Sequence, residues 1–127
     1  MTAKKILIVE DEQLLNEAYQ TILTKEGYDV QVAFDGLEAL ELTRNYEPDL
    51  ILLDLRMPRM NGIEFLQSYH LLEEHKQVKV IIFSNLDAEK DVDEAYLLGA
   101  NRYMLKAWAS PKELAKLVAE TLASPPR

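Results

Sequence analysis

Residues 50–62 read Leu50-Ile51-Leu52-Leu53-Asp54-Leu55-Arg56-Met57-Pro58-Arg59-Met60-Asn61-Gly62, and the fold turns on this stretch. Leu50 to Leu53 form a short, continuous apolar run opened by Pro48-Asp49. Such a run, too short for a helix and without alternation, is expected of a strand buried on both faces. Asp54 stands at its carboxyl end. Arg56 to Gly62, with Pro58, Asn61 and Gly62, reads as a loop.

Working outward, the same alternation recurs. Ile63 to Glu74 carries Phe65, Leu66, Tyr69 and Leu72 at helical spacing. Upstream, Ile6-Leu7-Ile8-Val9 is a second doubly buried strand. Leu14, Leu15, Ala18, Tyr19, Ile22 and Leu23 then recur at helical spacing up to Gly27. Tyr28, Val30, Val32 and Phe34 alternate, as in a half-buried strand near a sheet edge. Asp35 is a candidate cap for a helix bearing Leu37, Ala39, Leu40 and Leu42. Downstream, Val78 to Phe83 is a strand ending at Ser84, and Asp87 opens a helix that stops at Gly99. Arg102 to Leu105 is a fifth strand, ending at Lys106. Ser110, Pro111 and Glu113 mark the start of the last helix, with Ser110 as cap and Glu113 completing a capping box.

Strand and helix thus alternate through five repeats, which calls for a parallel sheet with helices on both faces and right-handed crossovers. The expected fold class is α/β, a flavodoxin-like (βα)5 doubly wound sheet of order 2-1-3-4-5, with the first and third strands, the most apolar, near its centre. Residues 1–123 are expected to form the domain, and 124–127 a frayed tail or the start of a linker.

The chain has 127 residues, 48% of them hydrophobic, enough for a core without disulfides or a structural metal. It has no cysteine, which excludes thiolate zinc sites and cysteine catalysis. Lys and Arg number 14 against 22 Asp and Glu, a net charge of −8, which argues against direct nucleic-acid binding. No apolar run approaches a membrane span, and the N-terminus does not read as a signal peptide, so a soluble, cytoplasmic protein is expected. His70 and His75 are five apart, a poor spacing for one helix face, and are read as surface residues with no metal role. Trp108 and Tyr96 are read as core or loop packing.

In a sheet of this order, ligands sit beyond the carboxyl ends of the strands, where strand order reverses between strands one and three. Strand one ends in Glu10-Asp11-Glu12 and strand three in Asp54. Carboxylates gathered there would repel one another and raise each other's pKa unless a cation joined them. A site of oxygen ligands, without His or Cys, suits Mg²⁺. Strand four adds the hydroxyl of Ser84 and strand five the ammonium of Lys106. This set suits phosphoryl transfer to a carboxylate, with Asp54 as nucleophile, Lys106 and Mg²⁺ neutralising phosphoryl charge, and Ser84 donating a hydrogen bond. Taken singly, each residue has a bland reading: a turn or cap, acids at a helix start, a solvated lysine. Their occurrence together, in order, at four strand ends carries the weight.

These residues resemble the receiver domains of two-component response regulators over roughly residues 4–123. The similarity rests on Ile6 to Asp11, Leu50 to Gly62, Val80 to Ser84 and Gly99 to Lys106, with Leu50 to Gly62 the most specific segment. The resemblance implies that Asp54 is the phosphorylated residue. It implies that Asp11 and Asp54 bind Mg²⁺, that Glu10 acts partly through water, and that the Arg56 backbone carbonyl is a further ligand. It also implies that Tyr103 changes rotamer when Ser84 moves toward the phosphoryl group. The family's upstream partner is a sensor histidine kinase or histidine phosphotransfer protein; the output protein is unknown.

The chain departs from the family pattern in places. Pro usually follows the lysine, commonly after a cis bond, whereas Ala107 and Trp108 follow here. A cis bond before Ala107 would cost roughly 3 kcal/mol, so the loop is either strained cis or takes a trans path that displaces Lys106 slightly. Asn85 stands where a smaller residue is common, and is expected to narrow access to Asp54. Asn101-Arg102 replaces an acidic pair, which favours a monomer or weak dimer. The leading expectation is a phosphorylation-driven switch that is not an enzyme in the ordinary sense. The alternatives are a phosphorylation-independent interaction module and, from fold alone, a flavodoxin-like enzyme or flavin carrier.

Overall fold

In the computed structural model, which describes residues 2–85 and 89–125 but not the Trp108 side chain, every apolar run is a strand. The strands are β1 (Lys5–Val9), β2 (Asp29–Ala33), β3 (Leu50–Asp54), β4 (Lys79–Ser84) and β5 (Arg102–Leu105). They form one parallel sheet of order β2-β1-β3-β4-β5. The continuous runs of β3 and β4 are buried throughout, whereas the alternating β2 is partly exposed, as an edge strand should be.

The helices are α1 (Gln13–Lys25), α2 (Gly36–Leu42), α3 (Gly62–Tyr69), the single turn α4 (Leu71–Glu74), α5 (Glu89–Leu97) and α6 (Pro111–Ala123). Successive residues of a strand point to opposite faces, so each strand feeds two cores. Leu7, Val9, Ile51, Leu53, Val80 and Ile82 pack with Ala39, Phe65, Leu66, Val92 and Ala95 of α2, α3 and α5. Ile6, Ile8, Leu50, Leu52, Ile81 and Phe83 pack with Tyr19, Leu23, Leu114 and Val118 of α1 and α6. This is the doubly wound architecture expected from the alternation. Among the described residues, no helix is long and apolar enough to cross a membrane.

Several local expectations need correction. The helix expected over 63–74 is broken: α3 ends at Tyr69, and His70 takes a left-handed conformation (φ 57°) before α4 begins. No Gly or Pro marks this break; it accompanies the burial of Leu71 in the core. Helix α1 keeps the expected stripe at Leu15, Tyr19, Ile22 and Leu23 but not at Leu14 and Ala18. Its buried residues are Asn16, Tyr19 and Leu23, while Leu14 is 82% exposed. Tyr96 lies on the surface, 44% exposed, and not in the core. Asp87, expected to open α5, lies outside the described residues, as do Pro126, Arg127 and the Trp108 side chain.

The helix ends follow their chemistry. After α1, the Gly27 N–H bonds the Thr24 carbonyl (3.0 Å) and the Tyr28 N–H the Leu23 carbonyl (3.2 Å). That pairing needs the left-handed φ of +93° that glycine adopts freely. Asp35 caps α2 by accepting from the Glu38 N–H (2.8 Å), and Ser110 caps α6 by accepting from the Glu113 N–H (3.2 Å). The reciprocal capping box forms at α3, between Asn61 and Glu64, at 2.9 and 3.0 Å.

Candidate functional site

Strand register lines up the chemistry. Val9 lies opposite Leu53, Asp54 opposite Phe83, and Ser84 opposite Leu105. Glu10, Asp54, Ser84 and Lys106 therefore stand in one row at the carboxyl edge of the sheet. The backbone takes a trans path throughout the described residues, the Lys106–Ala107 bond included, and Lys106 to Trp108 form a single 3-10 turn. The trans path does not take Lys106 away from the acids. Its Nζ donates to Asp54 Oδ2 at 2.9 Å and lies 2.9 Å from Glu10 Oε1, paired there by charge without good hydrogen-bond alignment.

Glu10, Asp11 and Asp54 each offer a carboxylate oxygen within 4.8 Å of the other two. Glu10 and Asp54 are 2% and 4% exposed, and Asp11 is exposed. Burial, and next the charge of Asp54, pushes the Glu10 carboxyl up to about 7. Burial likewise raises Asp54 against the pull of Lys106. Burial opposes charge on Lys106, but the bonds to Asp54 and Glu10 outweigh it and hold its proton more tightly than usual. With all three carboxylates ionised, one ammonium leaves two negative charges, which one divalent cation would neutralise. The oxygen-only donor set and that charge deficit both fit Mg²⁺, with Glu10, Asp11 and Asp54 as the residues able to hold it.

The surrounding residues fix this arrangement. The Arg56 N–H donates to Asp54 Oδ1 (3.2 Å) and the Glu12 N–H to Glu10 Oε2 (3.0 Å). The loop after Asp54 is clamped to α2. Arg59 pairs with Asp35 at 2.7 Å, and the Gly36 N–H bonds the Met60 carbonyl at 2.8 Å. A Cβ at Gly36 would stand 2.4 Å from that carbonyl oxygen, so only glycine allows the approach. The Arg56 side chain points elsewhere, 3.8 Å from Asp91. Ser84 Oγ is buried with no hydrogen-bond partner among the described residues, and Tyr103 is exposed on β5. Asn85 is exposed.

Of the residues named from sequence, Glu10, Asp11, Asp54 and Lys106 converge directly, and Ser84 stands on the same edge. Sequence reading missed Asn16, whose fully buried amide bonds the carbonyls of Glu10 (2.9 Å) and Ala33 (3.3 Å). A polar residue between Leu15 and Glu17 gives no sign of burial. The histidines lie away from this edge. His70 pairs with Glu73 at 3.2 Å, while His75 is half-buried, bonds Glu47 at 2.6 Å and stacks on Tyr69.

Comparison with known proteins is consistent with this geometry. A family profile described as "Response regulator receiver domain" matches residues 6–119. The chain is 37% identical over 116 residues to the chemotaxis protein CheY of Treponema pallidum, covering 89% of this chain and 79% of that one. It is 34% identical over 118 residues to the Regulator of RpoS of Escherichia coli K12, covering 93% of this chain but 34% of that much longer protein. Among solved structures, the chemotaxis protein CheY4 of Vibrio cholerae superposes with a TM-score of 0.86 at 26% identity, covering 94% of this chain and 99% of that one. A receiver domain protein from Methanospirillum hungatei gives 0.86 at 30% identity, with 95% and 94% covered.

Proposed function

The chain belongs to the response regulator receiver family of two-component signalling, and from that premise we propose that it is a switch thrown by phosphorylation of Asp54. The observation that carries this reading is the bridge from Lys106 Nζ to Asp54 and Glu10, beside the three convergent carboxylates. Family membership implies a histidine kinase as donor; a histidine phosphotransfer protein is the alternative source.

In the proposed reaction an Asp54 carboxylate oxygen attacks phosphorus. The new P–O bond forms as the P–N bond to the donor imidazole breaks, and the imidazole leaves with a proton from solvent. Lys106 favours the ionised, attacking form of Asp54 against its burial, and then faces the added phosphoryl charge. Mg²⁺, held by Glu10, Asp11, Asp54 and the Arg56 carbonyl, would supply further charge neutralisation on the phosphoryl oxygens. Ser84, whose hydroxyl has no partner among the described residues, would offer it to the phosphoryl group, and its movement would draw Tyr103 inward, changing the surface that an output protein reads. Residues 1–123 are the switching unit, acting in the cytoplasm as a monomer or weak dimer without direct nucleic-acid contact. The binding-module alternative drew support from the missing proline, and the position of Lys106 on the trans path weakens it.

The test is labelling with acetyl phosphate. Mass addition at Asp54 that requires Mg²⁺ and vanishes in Asp54→Asn is expected. Undiminished labelling of that variant would refute the assignment.

A further inference from the structure

The β1–α1 turn presents two of the three acids, yet its own backbone lies where the β1–β2 ladder has just ended. The last paired residues are Val9 and Ala33, after which the Glu10 N–H still reaches the Ala33 carbonyl at 3.1 Å. The Glu10 carbonyl then meets a buried side chain, that of Asn16, one turn into α1. Its Nδ2 donates to the Glu10 carbonyl at 2.9 Å and to the Ala33 carbonyl at 3.3 Å, joining the ends of two strands. Gln20 Nε2 donates to Asn16 Oδ1 at 3.1 Å, which fixes the amide's orientation. The Asn16 N–H bonds the Glu12 carbonyl at 2.9 Å, closing the turn from the other side.

The three acids do not depend on this turn equally. Asp54 sits on a buried strand, and the Glu10 side chain is tied to Lys106 and the Glu12 N–H. The Asp11 side chain makes no hydrogen bond among the described residues. It is placed by the course of the turn, which the Glu10 carbonyl just before it anchors to Asn16. Loosening that anchor would let the turn, and Asp11 with it, shift relative to Asp54, which is held on its own buried strand.

We infer that Asn16 is a positioning residue for the cation site: its amide locks the Glu10–Asp11 peptide and so aims the Asp11 carboxylate at the space shared with Asp54. This rests on the reading of the acid cluster as a Mg²⁺ site. A polar group that orients a ligand from behind typically changes metal affinity by roughly 10- to 100-fold when removed.

The test uses the full chain and Mg²⁺ alone, titrated by calorimetry, with thermal unfolding recorded beside it. Asn16→Ala is expected to weaken Mg²⁺ binding about 10-fold or more. Gln20→Leu, which frees the amide without removing it, should weaken binding by a smaller factor. In acetyl phosphate labelling, the Asn16→Ala defect should be large at limiting Mg²⁺ and shrink as Mg²⁺ is raised, whereas general loosening of the domain would depress labelling at every concentration. Unchanged Mg²⁺ affinity in a folded Asn16→Ala protein overturns the inference, and if that variant does not fold, unchanged affinity in Gln20→Leu does so. If the native chain fails to bind Mg²⁺, the cation-site reading falls first and the inference with it. Native binding with unaffected variants removes the inference alone.

Discussion

Lys79 and Lys106 occupy opposite ends of the same sheet. Lys79 is the first residue of β4, at the amino edge, and is buried. Lys106 follows β5, at the carboxyl edge, with its side chain 15% exposed. The Lys79 ammonium donates to the carbonyls of Ser124 (3.1 Å) and Pro125 (2.7 Å) and to the Ser124 hydroxyl (3.2 Å). It closes the carboxyl end of α6, where a cation also suits the helix dipole. Lys106 faces two carboxylates with a third close by, and the negative charge exceeds what it can balance. One cation completes a structure, and the other sits in a cluster that needs a further positive charge.

The largest effect should come from removing the cation at the carboxyl edge. Lys106→Met is expected to slow acetyl phosphate labelling about 100-fold, the usual scale for losing a charge-stabilising group. In metal-free buffer at pH 8 it should also lower stability by about 3 kcal/mol, because two buried carboxylates lose their counter-charge. Normal labelling by this variant would mean that the two lysines do not differ as described.

The carboxyl edge should also carry the pH dependence. Glu10 has a folded pKa of about 7 against an ordinary value of 4.5, so the folded state binds the extra proton between those values. Its contribution to stability is fully present below about pH 4.5 and is lost as pH rises through about 7. Urea unfolding without divalent cations should therefore show stability falling from pH 5 to pH 8, by up to about 3 kcal/mol. Glu10→Gln or added Mg²⁺ should flatten that slope. A rise in stability over the same range would contradict the charge imbalance.

At the amino edge the effects should be smaller and confined to stability. Lys79→Met is expected to cost about 1–2 kcal/mol in urea unfolding, through carbonyls left without a donor, and to leave the labelling rate within about two-fold. Asp49 accepts from the Lys5 N–H at 2.7 Å on the same edge. Asp49→Ala should cost about 1 kcal/mol and Asp49→Asn less, since the amide oxygen can still accept.

The difference between the edges also explains what could be read from the sequence. At the carboxyl edge, apolar runs stop abruptly at Glu10, Asp54, Ser84 and Lys106, so strand ends and site residues announce each other. Topology followed from the same runs. Lys79 lies between Val78 and Val80, where a charge in a strand gives no hint of a helix end brought to it from 45 residues away. Asn16 stayed hidden for a related reason: hydrophobic spacing favours Leu14 and Ala18, but packing turned the polar residue inward. The break at His70 carries no glycine or proline signal; what accompanies it is the burial of Leu71, a tertiary contact that local spacing does not show. The complete capping box at Asn61 and Glu64 was readable in kind, since its spacing matches the one recognised at Ser110.

The Ser84 hydroxyl, 1% exposed and without a hydrogen-bond partner among the described residues, has an energetic consequence. A buried donor left unsatisfied costs about 1–3 kcal/mol. If Asp54 is phosphorylated as proposed, an acceptor oxygen brought within the hydroxyl's reach would remove that cost. Removed in one conformation and not in the other, it would tip the balance between them by about 5- to 150-fold. The bias that drives the switch would then be stored in the unmodified protein, before any donor arrives.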